Sequence, residues 1–296
     1  MRVFLTGATG FIGTALIPEL LHHGHTVLGY ARSDAGARAL QALGVDVHRG
    51  DLEDLGALRR GAEQADGVVH AGFIHDFTQF ARNCEIDRVA IETLGEALAG
   101  TGKPLVVTAG IPGVAGRAST EDDEPDLLTP RRSEPVGLAQ GVRDVRAMVI
   151  RLPQVHDRDR AGLVSYLIAV ARQKGVSAWV GEGANRWSAV HRRATPSLYR
   201  LALEQGVAGA RYHAVEEEGV TLRAIAEAIG RGLKVPAVSM SKDEAVAHFG
   251  AMAHFASMDN PGSSALTRQR LGWAPGGHPG LIDDLEHSTE IGRAHV

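Results

Sequence analysis

Short apolar runs alternate along the first half of the chain with stretches in which apolar residues recur every three or four positions. Arg2–Thr6 reads Arg-Val-Phe-Leu-Thr, a β-branched and aromatic run of the kind that forms a buried strand. From Phe11 the spacing becomes helical, through Ala15, Leu16 and Leu20. The pattern then predicts strands over residues 25–30 and 45–48 and over Gly67–His70, with helices over 35–43 and 55–61 between them. A long helical stretch covers residues 77–100, with Phe80, Cys84, Val89, Leu94 and Leu98 expected to point inward. Strands over 103–108 and 145–152 complete the series. Strands that alternate with helices pair in parallel, and right-handed crossovers place helices on both faces. The expected class is therefore α/β, a doubly wound parallel sheet.

The alternation changes character twice. Residues 118–132 hold Glu121, Asp122, Asp123, Glu124 and Asp126 with two prolines, followed by Arg131 and Arg132, and read as an exposed loop with a solvated acidic run. Beyond Pro153 the elements become irregular. Helices are expected over 163–174, 194–205, Leu222–Leu233, Lys242–Phe249 and 263–271, and strands over Ser177–Val180, 211–215 and 235–239. A smaller C-terminal part thus follows the sheet.

Between the first strand and the first helix lie Gly7, Gly10 and Gly13, a G-x-x-G-x-x-G array. One glycine permits the tight turn, another lets a pyrophosphate approach the main chain, and a third lets helix and strand pack closely. The helix N-terminus adds free N–H groups and the positive end of its dipole. A glycine-rich turn without a ligand is the plainer alternative, and the strand-turn-helix context weighs against it. On this reading residues 1–153, rejoined by about 190–215, form a dinucleotide-binding core. Residues 154–189 and 216–296 form the substrate-binding part.

Composition narrows the field. The 296 residues carry 44% hydrophobic and 22% charged side chains with a net charge of −4. That balance gives no electrostatic case for nucleic acid or an anionic membrane, and no apolar run reaches the ~20 residues that cross a bilayer. The single cysteine, Cys84, has no partner for an internal disulfide and no neighbours at metal-ligand spacing, so no metal is expected and a reducing compartment is. With a strand at the N-terminus in place of a signal peptide, the expected location is cytoplasmic.

Several motifs in order carry a family resemblance. Thr6–Gly13 (Thr-Gly-Ala-Thr-Gly-Phe-Ile-Gly), Gly50-Asp51-Leu52, Val68-Val69-His70-Ala71-Gly72, Leu105-Val106-Val107-Thr108 and Arg151-Leu152-Pro153-Gln154-Val155-His156 follow at the expected spacing. Together they resemble the extended or atypical short-chain dehydrogenase/reductase superfamily, of the NAD(P)-dependent epimerase/dehydratase type, on a Rossmann sheet. The resemblance implies a cofactor held by Gly7, Thr9, Gly10, Phe11, Ile12 and Gly13. It extends the site to Asp51 and Leu52, Ala71 and Gly72, Thr108 and Pro153. It also implies a homodimer through the helices before the fifth and sixth strands, the second of them short here (residues 133–141).

Cofactor choice is read after the second strand. An acidic side chain about 20 residues past the glycines usually holds a ribose 2′-hydroxyl. The matching position is near Ala31, followed by Arg32 and Ser33. An arginine fork with a hydroxyl beside it suits a 2′-phosphate and favours NADPH over NADH. Arg32 as an ordinary solvated loop residue is the alternative.

The catalytic half does not follow the resemblance. The family's acid is a tyrosine in a Y-x-x-x-K pair between the fifth and sixth strands. Of Tyr30, Tyr166, Tyr199 and Tyr212, none lies there and none has lysine four residues later; the region reads Pro130-Arg-Arg-Ser-Glu-Pro-Val-Gly-Leu-Ala-Gln140. His75 and Asp76, just past the fourth strand, are candidates for proton transfer, with helix capping by Asp76 as the alternative. His191, in Asn185-Arg-Trp-Ser-Ala-Val-His-Arg-Arg193, is a third candidate, because in relatives this segment lines the substrate pocket; Trp187 either walls that pocket or packs as a buried aromatic. His156 reads as structural, and His254 has no assignable partner.

Three functions remain open on these residues. The first is an NADPH-dependent oxidoreductase acting on a small or medium organic substrate with a non-standard proton donor. The second is a redox-neutral lyase, isomerase or cyclase on the same fold. The third is a non-enzymatic NADP(H)-binding regulatory protein.

Overall fold

The computed structural model describes residues 1–125, 127 and 129–292. In chain order the first half runs β1 (Arg2–Thr6), α1 (Gly13–His22), β2 (Thr26–Ala31), α2 (Asp34–Ala42), β3 (Asp46–Arg49), α3 (Leu55–Glu63), β4 (Gly67–His70), α4 (Phe80–Ala97), β5 (Pro104–Gly110), α5 (Ser133–Ala139) and β6 (Arg146–Leu152). The second half runs β7 (Gln154–His156), α6 (Val164–Lys174), β8 (Ser177–Val180), β9 (Arg186–His191), α7 (Thr195–Gln205), β10 (Arg211–His213), β11 (Glu217–Thr221), α8 (Leu222–Leu233), β12 (Ala237–Met240), α9 (Lys242–Phe249), α10 (Ala253–Ser257), α11 (Ala265–Leu271) and α12 (Leu281–Glu286).

Seven parallel strands form one sheet in the order β10-β6-β5-β4-β1-β2-β3, the doubly wound Rossmann-like arrangement expected from the apolar pattern. Its central strands are buried on both faces, which is why β1 and β4 read as unbroken apolar runs. Val3, Leu5, Leu16 and Ile17 belong to the core on one face, and Phe4, Leu58, Ile91 and Leu94 to the core on the other. Helices begin where local side chains satisfy their first N–H groups: Ser33 accepts from Gly36 at α2, and Asp54 accepts from Ala57 at α3. The order reverses between β1 and β4, and the crevice at the carboxyl ends of those two strands is where such sheets take ligands.

The C-terminal part has its own core around Ile168, Trp187, Ile229 and Leu281. It holds a three-stranded sheet, β11-β9-β7, and a two-stranded one, β12-β8. The strands β7, β9 and β11 have no counterpart in the sequence reading. They are short, and they pair with segments about 28 to 35 residues away, so no local period marks them.

Two expectations need correction. The long helix starts at Phe80, because Asp76 caps a separate 3-10 turn over Phe77–Gln79, and Phe80 and Val89 are only half-buried. The acidic stretch after Ala118 is a loop that is only partly solvated: Asp122 and Glu124 are exposed, Asp123 is half-buried and Glu121 is buried. Glu121 accepts from the Thr267 N–H (2.6 Å) and hydroxyl (2.5 Å). Asp122 pairs with Arg270, Asp123 with Arg117 and Glu124 with Arg211. The segment is a strap whose carboxylates meet partners that lie mostly far along the chain. Asp126, also part of that run, lies outside the described residues.

Candidate active site

The glycine turn is shaped by contacts that exclude side chains. Gly7 has φ of 67°, and a Cβ there would sit 2.6 Å from the Ala71 carbonyl oxygen at the exit of β4. A Cβ on Gly13 would collide with the Gly7 carbonyl oxygen. The Gly10 N–H donates to that same oxygen (2.8 Å), closing the turn. Ile12 stands at the N-cap of α1 without a side-chain bond. The Thr14 and Ala15 N–H groups go to the Gly10 and Ile12 carbonyls, and those of Phe11, Ile12 and Gly13 have no partner among the described residues, which leaves them to an anion. Thr9 is exposed beside α2. Gly72 donates its N–H to Thr6 Oγ1 (3.2 Å), which holds the exit of β4 against β1.

Arg192 fastens this turn from outside. Its Nε donates to the Phe11 carbonyl (2.7 Å), one Nη to Thr14 Oγ1 (2.6 Å) and the other to Asp157 (3.2 Å), and the guanidinium lies 4.7 Å from the centroid of the Phe11 ring. The sequence reading passed over it, although it directly follows His191 in the segment that returns to the core.

The other expected cofactor positions line the same edge. Arg32 is exposed at the end of β2, and among the described residues its side chain has no ion-pair partner. Neighbouring Asp34 is engaged by Arg49 at 2.9 Å. Ser33 uses its hydroxyl oxygen to cap α2. Asp51 accepts through one oxygen from the Glu53 and Asp54 N–H groups, leaving the other open. Leu52 borders a cavity of about 200 Å³ that Leu55, Ile86 and Val89 also line. Pro153 lies between β6 and β7. A cavity of about 320 Å³ lined by Gly183, Asn185 and Lys242 belongs to the C-terminal part, away from these groups.

Beneath the crevice runs a chain of buried polar groups. Thr6 Oγ1 meets His70 Nδ1 (2.9 Å), His70 Nε2 meets Asp87 (3.0 Å), and Ser133 Oγ donates to the other Asp87 oxygen (2.5 Å). Arg131 Nε donates to Ser133 Oγ (3.0 Å) and its Nη2 to the Thr108 carbonyl (3.3 Å). Thr108 Oγ1 meets Tyr199 OH (2.8 Å). Because Asp87 accepts from His70 Nε2–H, His70 Nδ1 takes the Thr6 hydroxyl proton and Thr6 is left to accept from Gly72. Burial pushes the Asp87 carboxyl up, but the His70 and Ser133 bonds and the Arg131 charge outweigh that and hold it below its usual range. Burial drives the Tyr199 hydroxyl well above the usual tyrosine value, so Tyr199 does not stand in for the missing acid.

Arg131 therefore occupies the region where the tyrosine belongs. Its guanidinium is half-buried, stacked 4.3 Å from the Phe73 ring centroid, and has no carboxylate of this chain within ion-pair distance among the described residues. In the sequence its visible signal is the pair Arg131-Arg132 directly before α5.

The three acid–base candidates are separated in space. His75 lies on the crevice rim against Phe73, and its carbonyl accepts from Tyr166 OH (3.2 Å). The residue as a whole is exposed at the rim; partial desolvation of its ring first, then the charges of Arg131 and Arg160, lower its pKa. Asp76 spends its carboxylate on the Thr78 N–H (3.0 Å) and hydroxyl (2.6 Å). His191 belongs to a different cluster. There His156 Nδ1 bonds Asp284 (2.8 Å) and His191 Nε2 stands 3.7 Å from the same carboxylate, both rings pushed down to about 4 chiefly by burial.

Comparison with known proteins agrees with this geometry. The NAD dependent epimerase/dehydratase family matches residues 3–133. Uncharacterized protein C2A9.02 of Schizosaccharomyces pombe is 45% identical over 290 residues, covering 96% of this chain and 98% of that protein. The 4-hydroxy-2-methyl-3-oxo-4-farnesyl-3,4-dihydroquinoline-1-oxide ketoreductase of Stigmatella aurantiaca is 25% identical over 280 residues, covering 84% of this chain and 80% of that enzyme. The Thermus thermophilus UDP-glucose 4-epimerase in complex with NAD superposes with a TM-score of 0.76 at 18% identity over 100% of both chains, a likeness of fold. The chain belongs to the NAD dependent epimerase/dehydratase family and is an enzyme of the NAD(P)-dependent oxidoreductase type. No described helix is long and apolar enough to cross a membrane.

Proposed function

We propose that this member of the NAD dependent epimerase/dehydratase family is an NADPH-dependent reductase of a small or medium organic substrate, working without the family's tyrosine. The observation that carries the reading is the glycine turn, where a Cβ at Gly7 or Gly13 would collide with the backbone of the β4 exit or of the turn itself, the close strand-turn-helix packing of a dinucleotide site. A bound reduced nicotinamide supplies a hydride to an unsaturated carbon of the substrate. The N–H groups at the start of α1 bind the pyrophosphate, with Asp51 and Leu52 towards the adenine and Ala71, Gly72, Thr108 and Pro153 along the remaining edge. Arg32, with Ser33 beside it, pairs its fork with the 2′-phosphate that distinguishes NADPH.

Arg131 replaces the tyrosine by electrostatics. A fixed cation with three N–H bonds free among the described residues can hold a negatively charged group of the substrate and stabilise negative charge that develops on a neighbouring oxygen during reduction. The proton that balances the hydride comes from solvent at the crevice mouth. His75 is the candidate placed to relay it; as a neutral ring it passes a proton between its two nitrogens and does not act as a standing imidazolium.

Titration of the protein with NADPH and with NADH, read by nucleotide fluorescence, tests the reading. NADPH is expected to bind roughly 10- to 100-fold more tightly, the range of one or two charge-assisted bonds. Arg32→Glu is expected to erase that preference. Equal or tighter NADH binding contradicts the preference, and failure of both nucleotides to bind contradicts the reductase reading.

A further inference from the structure

Four of the seven phenylalanines in the chain, Phe73, Phe77, Phe80 and Phe255, gather at one place between the exit of β4 and the C-terminal part. Phe73 and Phe80 have ring centroids 6.3 Å apart, Phe77 stacks on Phe80 at 5.8 Å, and Phe77 meets Phe255 at 5.8 Å and Tyr166 at 5.3 Å. All five aromatic residues are half-buried. They come from three separate stretches of chain, the β4–α4 connection with the start of α4, then α6 and α10. The wall therefore bridges the sheet and the C-terminal part.

Arg131 stands at one end of this wall. Of its five N–H bonds, one goes to Ser133 Oγ and one to the Thr108 carbonyl, which leaves three without a partner among the described residues. Stacking on Phe73 removes water from one face of the guanidinium without neutralising it. The Asp87–Ser133 link fixes its orientation from below. A planar fork held in place, paired with no carboxylate among the described residues and flanked by rings, matches a planar carboxylate attached to an apolar body.

We infer that the substrate class of this site is an aromatic or similarly flat apolar carboxylate, its charged end on Arg131 and its ring system against Phe73, Phe77 and Phe80. The inference rests on the reading of the crevice as a reductase site, and it adds the chemical class that site accepts. The spacing of the wall, two ring-to-ring steps from the guanidinium, suits a body of about two fused rings.

Calorimetric titration of the full chain with three probes tests it, with and without saturating NADP. The probes are 2-naphthoate, 2-naphthalenemethanol (ring without charge) and acetate (charge without ring). The wild-type protein is expected to bind 2-naphthoate at least tenfold more tightly than either control. Arg131→Gln is expected to remove the preference for naphthoate over the alcohol, and Arg131→Lys to restore part of it. Phe77→Ala is expected to weaken both naphthyl probes alike. All three variants should retain wild-type NADPH affinity within twofold. The wild-type comparison needs no variant to fold: naphthoate no tighter than the alcohol, or no tighter than acetate, overturns the inference while NADPH binding leaves the reductase reading standing. Loss of NADPH binding with the probe preference intact counts against the reductase reading alone.

Discussion

The turn between β1 and α1 and the stretch leading from β5 into α5 lie at the same carboxyl edge of the sheet, yet they are built from different materials. The first is made of backbone, with Gly7 and Gly13 leaving no room for side chains and the N–H groups of Phe11, Ile12 and Gly13 without a partner among the described residues. The second is made of side chains, with Arg131 and Ser133 held by Asp87, His70 and Thr108. A backbone site accepts almost any neighbour and has few ways to be rebuilt. A side-chain site can exchange its reactive group and keep its scaffold. That difference explains how a chain in this family retains the cofactor turn while no tyrosine or lysine occupies Ser133–Ala139.

The sharpest way to break the comparison is to place a side chain in the backbone site. Gly13→Val is expected to reduce NADPH affinity more than 100-fold and to lower thermal stability as well. Arg131→Gln is expected to change NADPH affinity less than twofold. Equal effects of the two variants on nucleotide fluorescence would erase the distinction.

Next in size is the support under the side-chain site. Asp87→Ala removes the shared acceptor of His70 and Ser133 in a fully buried position. Breaking such a network is expected to cost about 3–5 kcal/mol in urea denaturation. A loss below about 1 kcal/mol would mean that the chain of bonds does not hold Arg131 in place.

Acid should act through buried histidines, His156 on β7 of the C-terminal part and His213 on β10 of the large sheet. His156 is held at about 4 and His213 at about 3, both chiefly by burial. Their folded forms stay neutral while the unfolded chain takes up protons below about 6.5. The stability is therefore complete above about pH 6.5 and declines as pH falls towards 4, by up to about 1.4 kcal/mol per pH unit for each ring. Burial raises Asp284 and Glu216, so they keep protons that the unfolded chain releases and offset part of the slope. His156 faces Asp284, Glu217 and His191, and His156→Gln is expected to flatten the dependence measured by denaturation between pH 7.5 and 4.5. An unchanged slope contradicts this assignment.

The smallest effect is at the cofactor's phosphate end. Ser33→Ala removes the α2 cap and is expected to cost about 1 kcal/mol of stability. On the present reading it also weakens NADPH by a few fold while leaving NADH unchanged.

What was legible in the sequence follows the same division. The parallel sheet could be read because β1, β4 and β5 are buried on both faces and carry their own apolar signal. The glycine turn could be read because only glycine satisfies its geometry. Glu121 was misread as solvated because its partner, Thr267, lies 146 residues away. The strands β7, β9 and β11 escaped because each is defined by its neighbour and carries no period of its own. Arg131 escaped for a related reason: its importance comes from Phe73, Thr108 and Ser133 converging on it, and a motif written for tyrosine and lysine has no place for it.

The most direct test of the account is a crystal structure of the protein with NADP bound. The account predicts the pyrophosphate on the N–H groups that open α1, the 2′-phosphate on Arg32, and the nicotinamide on the side of the crevice that Arg131 faces. A dinucleotide bound elsewhere, or a nicotinamide directed away from Arg131 with another side chain at its reactive face, would contradict it.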